Sequence, residues 1–101
     1  MHDFIVSASI QILPIGTQRH PYAWVDEAIA IIQKSGIDYR VQAFDTVVEG
    51  KYAAVMAVID QINHQLCNAG CEEWITHLQI QIRSNTAITV AEKLEKYPEN
   101  Q

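Results

Sequence analysis

The chain has 101 residues, the length of a single domain, and residues 1–101 are treated as one unit. Its formal net charge of −5 argues against a protein that tracks nucleic-acid phosphates, because such proteins need a basic face. Two cysteines are too few for a disulfide scaffold, and no apolar run approaches the roughly 20 residues of a membrane span. No basic signal region precedes the first apolar segment. We therefore expect a cytoplasmic protein.

The first half of the chain predicts a strand, a helix and a second strand. Residues 4–13 are rich in β-formers and place alternate apolar residues on one face: Val6, Ala8, Ile10 and Ile12. Two prolines and a glycine then interrupt the strand. Apolar residues recur at helical spacing over about residues 22–35, and Gly36 is suited to the helix end. The segment DYRVQAF, residues 38–44, predicts the second strand.

The second half repeats this pattern with a third strand over residues 46–50. Asp45 lies at the junction of the second and third strands, and Gly50 ends the third. A helix over about residues 51–69 is predicted from a stripe of apolar residues: Val55, Val58, Ile59, Ile62 and Leu66. Residues 73–83 predict the fourth strand, because residues 77–83 alternate strictly between polar and apolar side chains. Residues 86–97 predict a short amphipathic C-terminal helix.

The order β-α-β-β-α-β in two nearly equal halves is typical of a ferredoxin-like α+β sandwich with a four-stranded antiparallel sheet. Right-handed crossovers place both helices on one sheet face, and the usual strand order, 4-1-3-2, makes the first and fourth strands neighbours. Strand alternation then turns one set of polar side chains away from the helices: Ser7, Ser9, Gln11, His77, Gln79, Gln81 and Arg83. We call this side of the sheet the uncovered face.

Two interpretations of the uncovered face remain open. Hydroxyl, amide and guanidinium groups on rigid strands are suited to hydrogen-bonding the edge of a neutral heterocycle. Alternatively, this face is simply hydrated, or it is buried against another subunit with its amides paired across the interface. A dimer that pairs face to face could still hold a ligand at its seam, so the two interpretations are compatible.

Other candidate chemistry is sparse. Glu49 is a lone carboxylate in an apolar strand, where it could pair with Arg83 or accept from a ligand's amine. His64, Cys67 and Cys71 have helical spacing, but three residues do not close a tetrahedral structural metal site, so we expect no metal. The sequence shows no nucleophile with a partnered base, and we expect neither an enzyme nor a cofactor.

Three segments resemble a known family. SIQILPIGT (residues 9–17), DTVVEG (45–50) and THLQIQIR (76–83) are similar in order and spacing to the small thiamine-binding protein family, also called the UPF0045 or MTH1187/YkoF-like family. The resemblance extends over nearly the whole chain. Its most specific parts are the proline-x-glycine-threonine that ends the first strand and the threonine-x-x-glutamate-glycine of the third.

The resemblance implies a ferredoxin-like fold that pairs sheet against sheet in homodimers or homotetramers, with no established catalysis. It also implies binding of thiamine, or of its hydroxymethylpyrimidine part, along the sheet face and subunit seam. The positions that match the family are Ser9, Thr46, Glu49 and Arg83. Together with the amides of the uncovered face, the predicted ligand-binding residues are Ser9, Gln11, Thr46, Glu49, Gln79, Gln81 and Arg83.

The chain departs from its relatives at two of these positions. Gln79 and Gln81 stand where relatives often carry a lysine and an aspartate. The exchange keeps the local net charge. A glutamine still donates and accepts hydrogen bonds, but it does not form an ion pair.

Overall fold

The computed structural model describes residues 4–16 and 20–83. Six elements follow one another in this part of the chain: β1 (Ile5–Pro14), α1 (Pro21–Ser35), β2 (Asp38–Val41), β3 (Thr46–Lys51), α2 (Tyr52–Asn68) and β4 (Trp74–Gln81). The predicted order of strands and helices is confirmed. The short helix predicted over residues 86–97 lies outside the described residues.

The strands form one antiparallel sheet in the order β2-β3-β1-β4, which is the predicted order counted from the opposite edge. Both helices contact the sheet and each other. Burial alternates along β1 from Ala8 onward, and the helix-facing apolar residues are at most 7% exposed: Val6, Ala8, Ile10 and Ile12. Both helices therefore cover the same sheet face, and the ferredoxin-like α+β fold is confirmed.

The helix boundaries follow from local chemistry. Pro21 occupies the first turn of α1, where its missing N–H costs nothing, and Nδ1 of His20 accepts from the Tyr22 N–H at 3.2 Å. Gly36 ends α1 with a left-handed φ of 80°, a conformation that glycine adopts without strain. The predicted apolar stripe of α2 is buried throughout, which explains why this helix packs firmly on the sheet.

The connection between β2 and β3 differs from the prediction. The second strand ends at Val41 rather than continuing to Phe44, because the Gln42 N–H donates to the Asp45 carbonyl at 2.8 Å and turns the chain. Phe44 is consequently left 83% exposed. β3 runs one residue past Gly50, since Lys51 still pairs with β1.

A polar group of three side chains joins β4 to α2 on the helix-covered face. Trp74 Nε1 donates to Asn63 Oδ1 and to Thr76 Oγ1, both at 3.1 Å, and Thr76 Oγ1 donates to Asn63 Oδ1 at 2.6 Å. These bonds fix the outer strand against the longer helix. Within residues 4–16 and 20–83, neither helix combines the length and apolar character needed to cross a membrane.

Candidate ligand-binding site

The uncovered face carries the polar rows that the sequence predicts. The register of β1 and β4 brings three polar pairs together across the strands: Ser7 with Gln81, Ser9 with Gln79, and Gln11 with His77. The polar residues of β4 are exposed, whereas Leu78 and Ile80 between them are half-buried against the core. Ser9, Gln11 and their partners on β4 therefore present a polar surface on the side away from the helices, whereas Ser7 is only 6% exposed.

Ser9 is held by a residue from the turn between β2 and β3. Its Oγ donates to Oδ2 of Asp45 at 2.5 Å, in a partly buried position. A serine hydroxyl has a single proton, so Ser9 offers a ligand only its lone pairs while this bond is made. The Asp45 carboxylate thus becomes part of the site, and sequence reasoning had placed Asp45 only at a strand junction. Asp45 precedes Val47 by two residues and Glu49 by four, and this even spacing along the strand is the sequence feature that predicts its place on the uncovered face.

Glu49 lies on the same face, on the far side of β1 from β4. It is half-buried and pairs in register with Ser7 on one side and with Asp38 on the other. Beside it, a cavity of about 210 Å³ is lined by Asp38, Tyr39, Arg40, Gln42, Val47 and Glu49. The charged residues of the uncovered face, including Asp38, Glu49 and Arg40, therefore lie toward β2, and the amides lie toward β4.

Arg83 follows β4 two residues beyond Gln81 and is half-buried. Since Gln81 pairs with Ser7 and β1 begins at Ile5, Arg83 lies toward the end of the sheet where β1 starts. Ser9 and Gln79 lie nearer the middle of the two strands. The structure thus brings together Ser9, Gln11, Gln79 and Gln81, with Glu49 and Arg83 at the periphery.

Thr46 does not lie with the other predicted residues. It pairs in register with Ile10, a core residue, and it is only 6% exposed. Because successive strand residues point to opposite faces, Thr46 shares the helix-covered face with Val48, which is fully buried. The even spacing between Thr46 and Val48 therefore places Thr46 on the opposite side of the sheet from Ser9.

An apolar patch adjoins the polar rows on the uncovered face. Leu13 and Ile75 are register partners at one end of the sheet and are 40% and 50% exposed. Val47, next to Ser9 in register, is half-buried on the same face. Apolar side chains beside fixed polar groups suit a surface that another molecule covers better than one that only water contacts. The sequence analysis did not identify this patch.

The candidate metal residues are not brought together. Cys67 is exposed and Cys71 is buried, where its Sγ donates to the Glu73 carbonyl at 3.6 Å. Nδ1 of His64 contacts Asp60 one turn earlier on the helix surface. In the part of the chain that the structure describes, no group of three or more His, Cys, Asp or Glu side chains could hold a metal ion.

The strand order and the placement of the helices define a ferredoxin-like α+β protein in which α1 and α2 cover the same face of the sheet. The family model described as thiamine-binding protein matches residues 8–98, and the chain therefore belongs to the thiamine-binding protein family. The resemblance seen in the sequence is confirmed. A UPF0045 protein of Clostridium perfringens is 26% identical over 91 residues, which cover 90% of this chain and 95% of the relative.

Solved structures have the same architecture. A Bacillus cereus protein with a domain of unknown function, DUF77, is similar with a TM-score of 0.85 and 33% identity, over 97% of this chain and 94% of that one. A candidate thiamine biosynthesis or salvage protein of Thermotoga maritima is similar with a TM-score of 0.80 and 27% identity, over 92% and 98% of the two chains.

Proposed function

We propose that this protein binds thiamine, or its hydroxymethylpyrimidine part, without catalysis, on the uncovered face at the seam of a homodimer or homotetramer. The observation that carries the proposal is the Asp45 carboxylate, held by Ser9 in a partly buried position beside the amides of β4. Membership of the thiamine-binding family supports the class of ligand, and the relative from Thermotoga maritima is associated with thiamine biosynthesis or salvage.

The hydrogen-bonding groups of an aminopyrimidine complement those of this face. The ring nitrogens accept hydrogen bonds, and the exocyclic amine donates. The Asp45 carboxylate is an acceptor for the amine, and the Gln79 amide is a donor for a ring nitrogen. Ser9 positions the carboxylate rather than donating to the ligand, because its proton is already used.

The charge of the protein favours the other half of thiamine. The thiazolium ring is a cation, and the chain has a formal net charge of −5. Asp38 and Glu49 are neighbours in register beside the small cavity on β2 and β3, with Arg40 on the same strand as Asp38. The two carboxylates on this side of the uncovered face are suited to lie near the thiazolium when the pyrimidine contacts Asp45 and Gln79.

The available groups are sufficient for useful affinity. A neutral hydrogen bond contributes about 1 kcal/mol net, and one to a charged group contributes about 1.5–3 kcal/mol. Micromolar binding requires about −8 kcal/mol, so a few such bonds together with burial of the ring are enough. A second subunit over Leu13 and Ile75 would exclude water from the ligand and strengthen each bond.

Calorimetry with thiamine and with hydroxymethylpyrimidine tests the proposal. Asp45→Asn keeps the shape of the side chain but removes its charge, and we expect at least tenfold weaker binding of the ligand. Asp60→Asn is the matched control, because Asp60 is an exposed carboxylate on α2, and it should leave affinity unchanged. Absence of heat and of any thermal shift with millimolar ligand would contradict the proposed function.

A structural or regulatory oligomer is the second candidate function. The exposed pair Leu13 and Ile75 favours it, because such a patch is itself typical of an interface. Glu49→Ala and Gln79→Ala distinguish the two functions. For a ligand-binding protein, both substitutions weaken affinity and leave the oligomer mostly intact. For a purely structural face, Gln79→Ala shifts the oligomer toward monomer, as sedimentation velocity measures directly.

We also propose that the protein acts in the cytoplasm without a nucleic-acid or membrane partner. Both cysteines are free thiols, and Cys67 is exposed, which suits a reducing compartment. The acidic net charge is unfavourable for binding a phosphate backbone. Electrophoretic mobility of a labelled duplex and flotation with anionic vesicles should both be unaffected by the protein.

A further inference from the structure

The outer edge of β2 is an open strand edge within residues 4–16 and 20–83. β2 lies at the end of the sheet order and pairs with β3 alone in this part of the chain. Its residues, DYRV, are all exposed and include neither a proline nor a glycine that would interrupt a ladder. An open edge presents backbone N–H and C=O groups in a row, and it is therefore a template for pairing with a further strand.

The outward backbone groups of this edge belong to Tyr39 and Val41. The Gln42 N–H donates across the turn at 2.8 Å, so the backbone groups of Gln42 point toward β3. Hydrogen-bonded and non-hydrogen-bonded pairs alternate along an antiparallel ladder, and Arg40 and Asp38 therefore also point inward. Tyr39 and Val41 lie between these inward positions. Any strand that extends the sheet here must hydrogen-bond to these two residues.

The side chains of β2 are divided between the two faces of the sheet. Tyr39 and Val41 pair in register with buried residues of β3, which places them on the helix-covered face, and they are 42% and 50% exposed. Asp38 and Arg40 pair with half-buried residues of the uncovered face. β2 thus carries an apolar side and a side with one charge of each sign.

An antiparallel pairing of β2 with β2 of a second copy complements both sides in a single register. With Tyr39 opposite Tyr39, each Asp38 lies opposite the Arg40 of the other copy, as a two-fold interface requires. These opposite charges occupy non-hydrogen-bonded pairs, in which the Cα atoms are only about 4.5 Å apart. On the helix-covered face, Val41 lies opposite Ile37, which is itself packed against the core. Charge therefore meets charge, and apolar side chains meet apolar side chains.

Neighbouring registers lack this complementarity. A shift of two residues preserves the hydrogen bonding but places Arg40 opposite Arg40, or Asp38 opposite Asp38, and like charges directly opposite are destabilising. A shift of one residue pairs outward groups with inward groups and forms no ladder. In addition, Asp38 already lies beside the carboxylate of Glu49 on β3, so a guanidinium on its outer side reduces the repulsion between the two carboxylates.

We propose that β2 pairs edge to edge with β2 of a second copy, in the antiparallel register centred on Tyr39, and joins the two sheets into one. This contact goes beyond the proposed ligand site, because it uses the strand edge and needs no ligand. The two-fold axis is perpendicular to the joined sheet, so both uncovered faces lie on the same side of it. A second pair of copies can then cover them, and the edge contact and the face contact together close a tetramer.

Charge reversal tests the pairing of Asp38 with Arg40. Asp38→Arg and Arg40→Asp each place like charges opposite one another, and each should weaken edge association at least tenfold. Sedimentation velocity without ligand should then show an assembly of half the wild-type mass. An equimolar mixture of the two variants restores opposite charges and should recover the wild-type mass. Asp60→Arg makes the same change of charge at an exposed site on α2 and should leave the mass unchanged.

Two outcomes of this experiment would overturn the proposal. The first is an unchanged assembly in both single variants, and the second is a mixture that stays dissociated. Because no ligand is present, a failure of thiamine binding has no influence on either outcome. The proposed function and the edge contact can therefore fail independently.

Disulfide formation tests the register. In a Cys67→Ser background, which removes the exposed native thiol, Tyr39→Cys places two thiols across the two-fold axis. The Cα separation of such a pair is about 5.5 Å, which a disulfide spans. Val41→Cys is the matched control, because its two thiols would lie four residues apart along the strands, about 13 Å.

Under mild oxidation, Tyr39→Cys should form a covalent dimer and Val41→Cys should not. Equal cross-linking of the two variants, or cross-linking of Val41→Cys alone, would overturn the register. A Tyr39→Cys variant that stays monomeric on a denaturing gel would overturn the pairing itself, and this result is expected if another segment of the same chain covers the edge.

Discussion

The two faces of the sheet are built from the same strands, yet their environments are opposite. Along β1 the helix-facing residues are buried, whereas Ser9 and Gln11 between them are half-buried and polar. The backbone register is shared, so only the residue type at alternate positions distinguishes a packed core from a binding surface. A one-residue slip of this strand would exchange the two, and the register is therefore strongly specified.

The packing on the helix-covered face differs between the two ends of the sheet. At Gly50 it is packed so closely that an added Cβ would lie 3.3 Å from Ile37 Cγ2 and 3.7 Å from Val55 Cγ2. Four residues earlier on β3, Thr46 borders a cavity of about 340 Å³. The sheet is thus tightly filled where β1 begins and open beside the first turns of α1.

The largest effect is expected from one substitution made on each face. Val48 is fully buried under the helices, and Val47 is half-buried on the uncovered face. Val48→Ala should lower the free energy of unfolding by about 2–3 kcal/mol, the transfer of two methyl groups plus a cavity. Val47→Ala should cost less than about 1 kcal/mol, while the change in β-propensity is the same in both variants. Urea unfolding at low protein concentration measures both, and equal losses would contradict the assignment of the faces.

The next effect separates the two ends of the covered face. Gly50→Ala should destabilise by about 1–3 kcal/mol, because the new methyl group must displace Ile37. Val25→Ile adds a methyl group to the wall of the open cavity, and the stability should stay within about 0.5 kcal/mol of wild type or rise. Differential scanning calorimetry gives the comparison. A tolerated Gly50→Ala together with a damaging Val25→Ile would reverse the assignment of packed and open ends.

Two threonines on the covered face allow a smaller comparison. Thr76 bonds to Asn63 and Trp74, so Thr76→Val should cost about 1 kcal/mol, with an unsatisfied partner left behind. Thr46 has no such bond to a described residue, and Thr46→Val should change stability by less than about 0.5 kcal/mol. Thermal midpoints of the two variants should therefore move apart. A loss of stability in Thr46→Val equal to that in Thr76→Val would show that Thr46 is already satisfied.

Much of this architecture could be predicted from periodicity alone. The alternation of burial along β4 and the helical spacing of apolar residues along α2 are long, regular patterns. Each pattern arises because only one side of the strand or helix packs against the core. The polar rows of the uncovered face followed from strand order and parity, because Ser9 and Gln79 needed only the pairing of β1 with β4 to become neighbours.

The parts that could not be predicted depend on tertiary contacts. Asp45 contacts Ser9 from a tight turn. A backbone hydrogen bond from Gln42 determines the shape of that turn, and no residue pattern in this β-rich segment predicts the bond. Thr46 was grouped with the sheet-face ligands through its motif, although its spacing from Val48 places it among core residues. A motif identifies which residues act together in a family, but the side of the sheet on which each lies follows from alternation.

The smallest effect on stability is expected at the amide row of the uncovered face. Gln79 is exposed in the isolated chain, and Gln79→Ala should change its free energy of unfolding by less than about 0.5 kcal/mol. Gln61→Ala is a matched control on the exposed surface of α2. If subunits meet over the uncovered face, the thermal midpoint rises with protein concentration, because association stabilises only the folded state. With a ligand site at the seam, both variants should keep this concentration dependence, and only Gln79→Ala should lose affinity for thiamine. Loss of the concentration dependence in Gln79→Ala alone would instead identify the amide row as the contact that holds the subunits together.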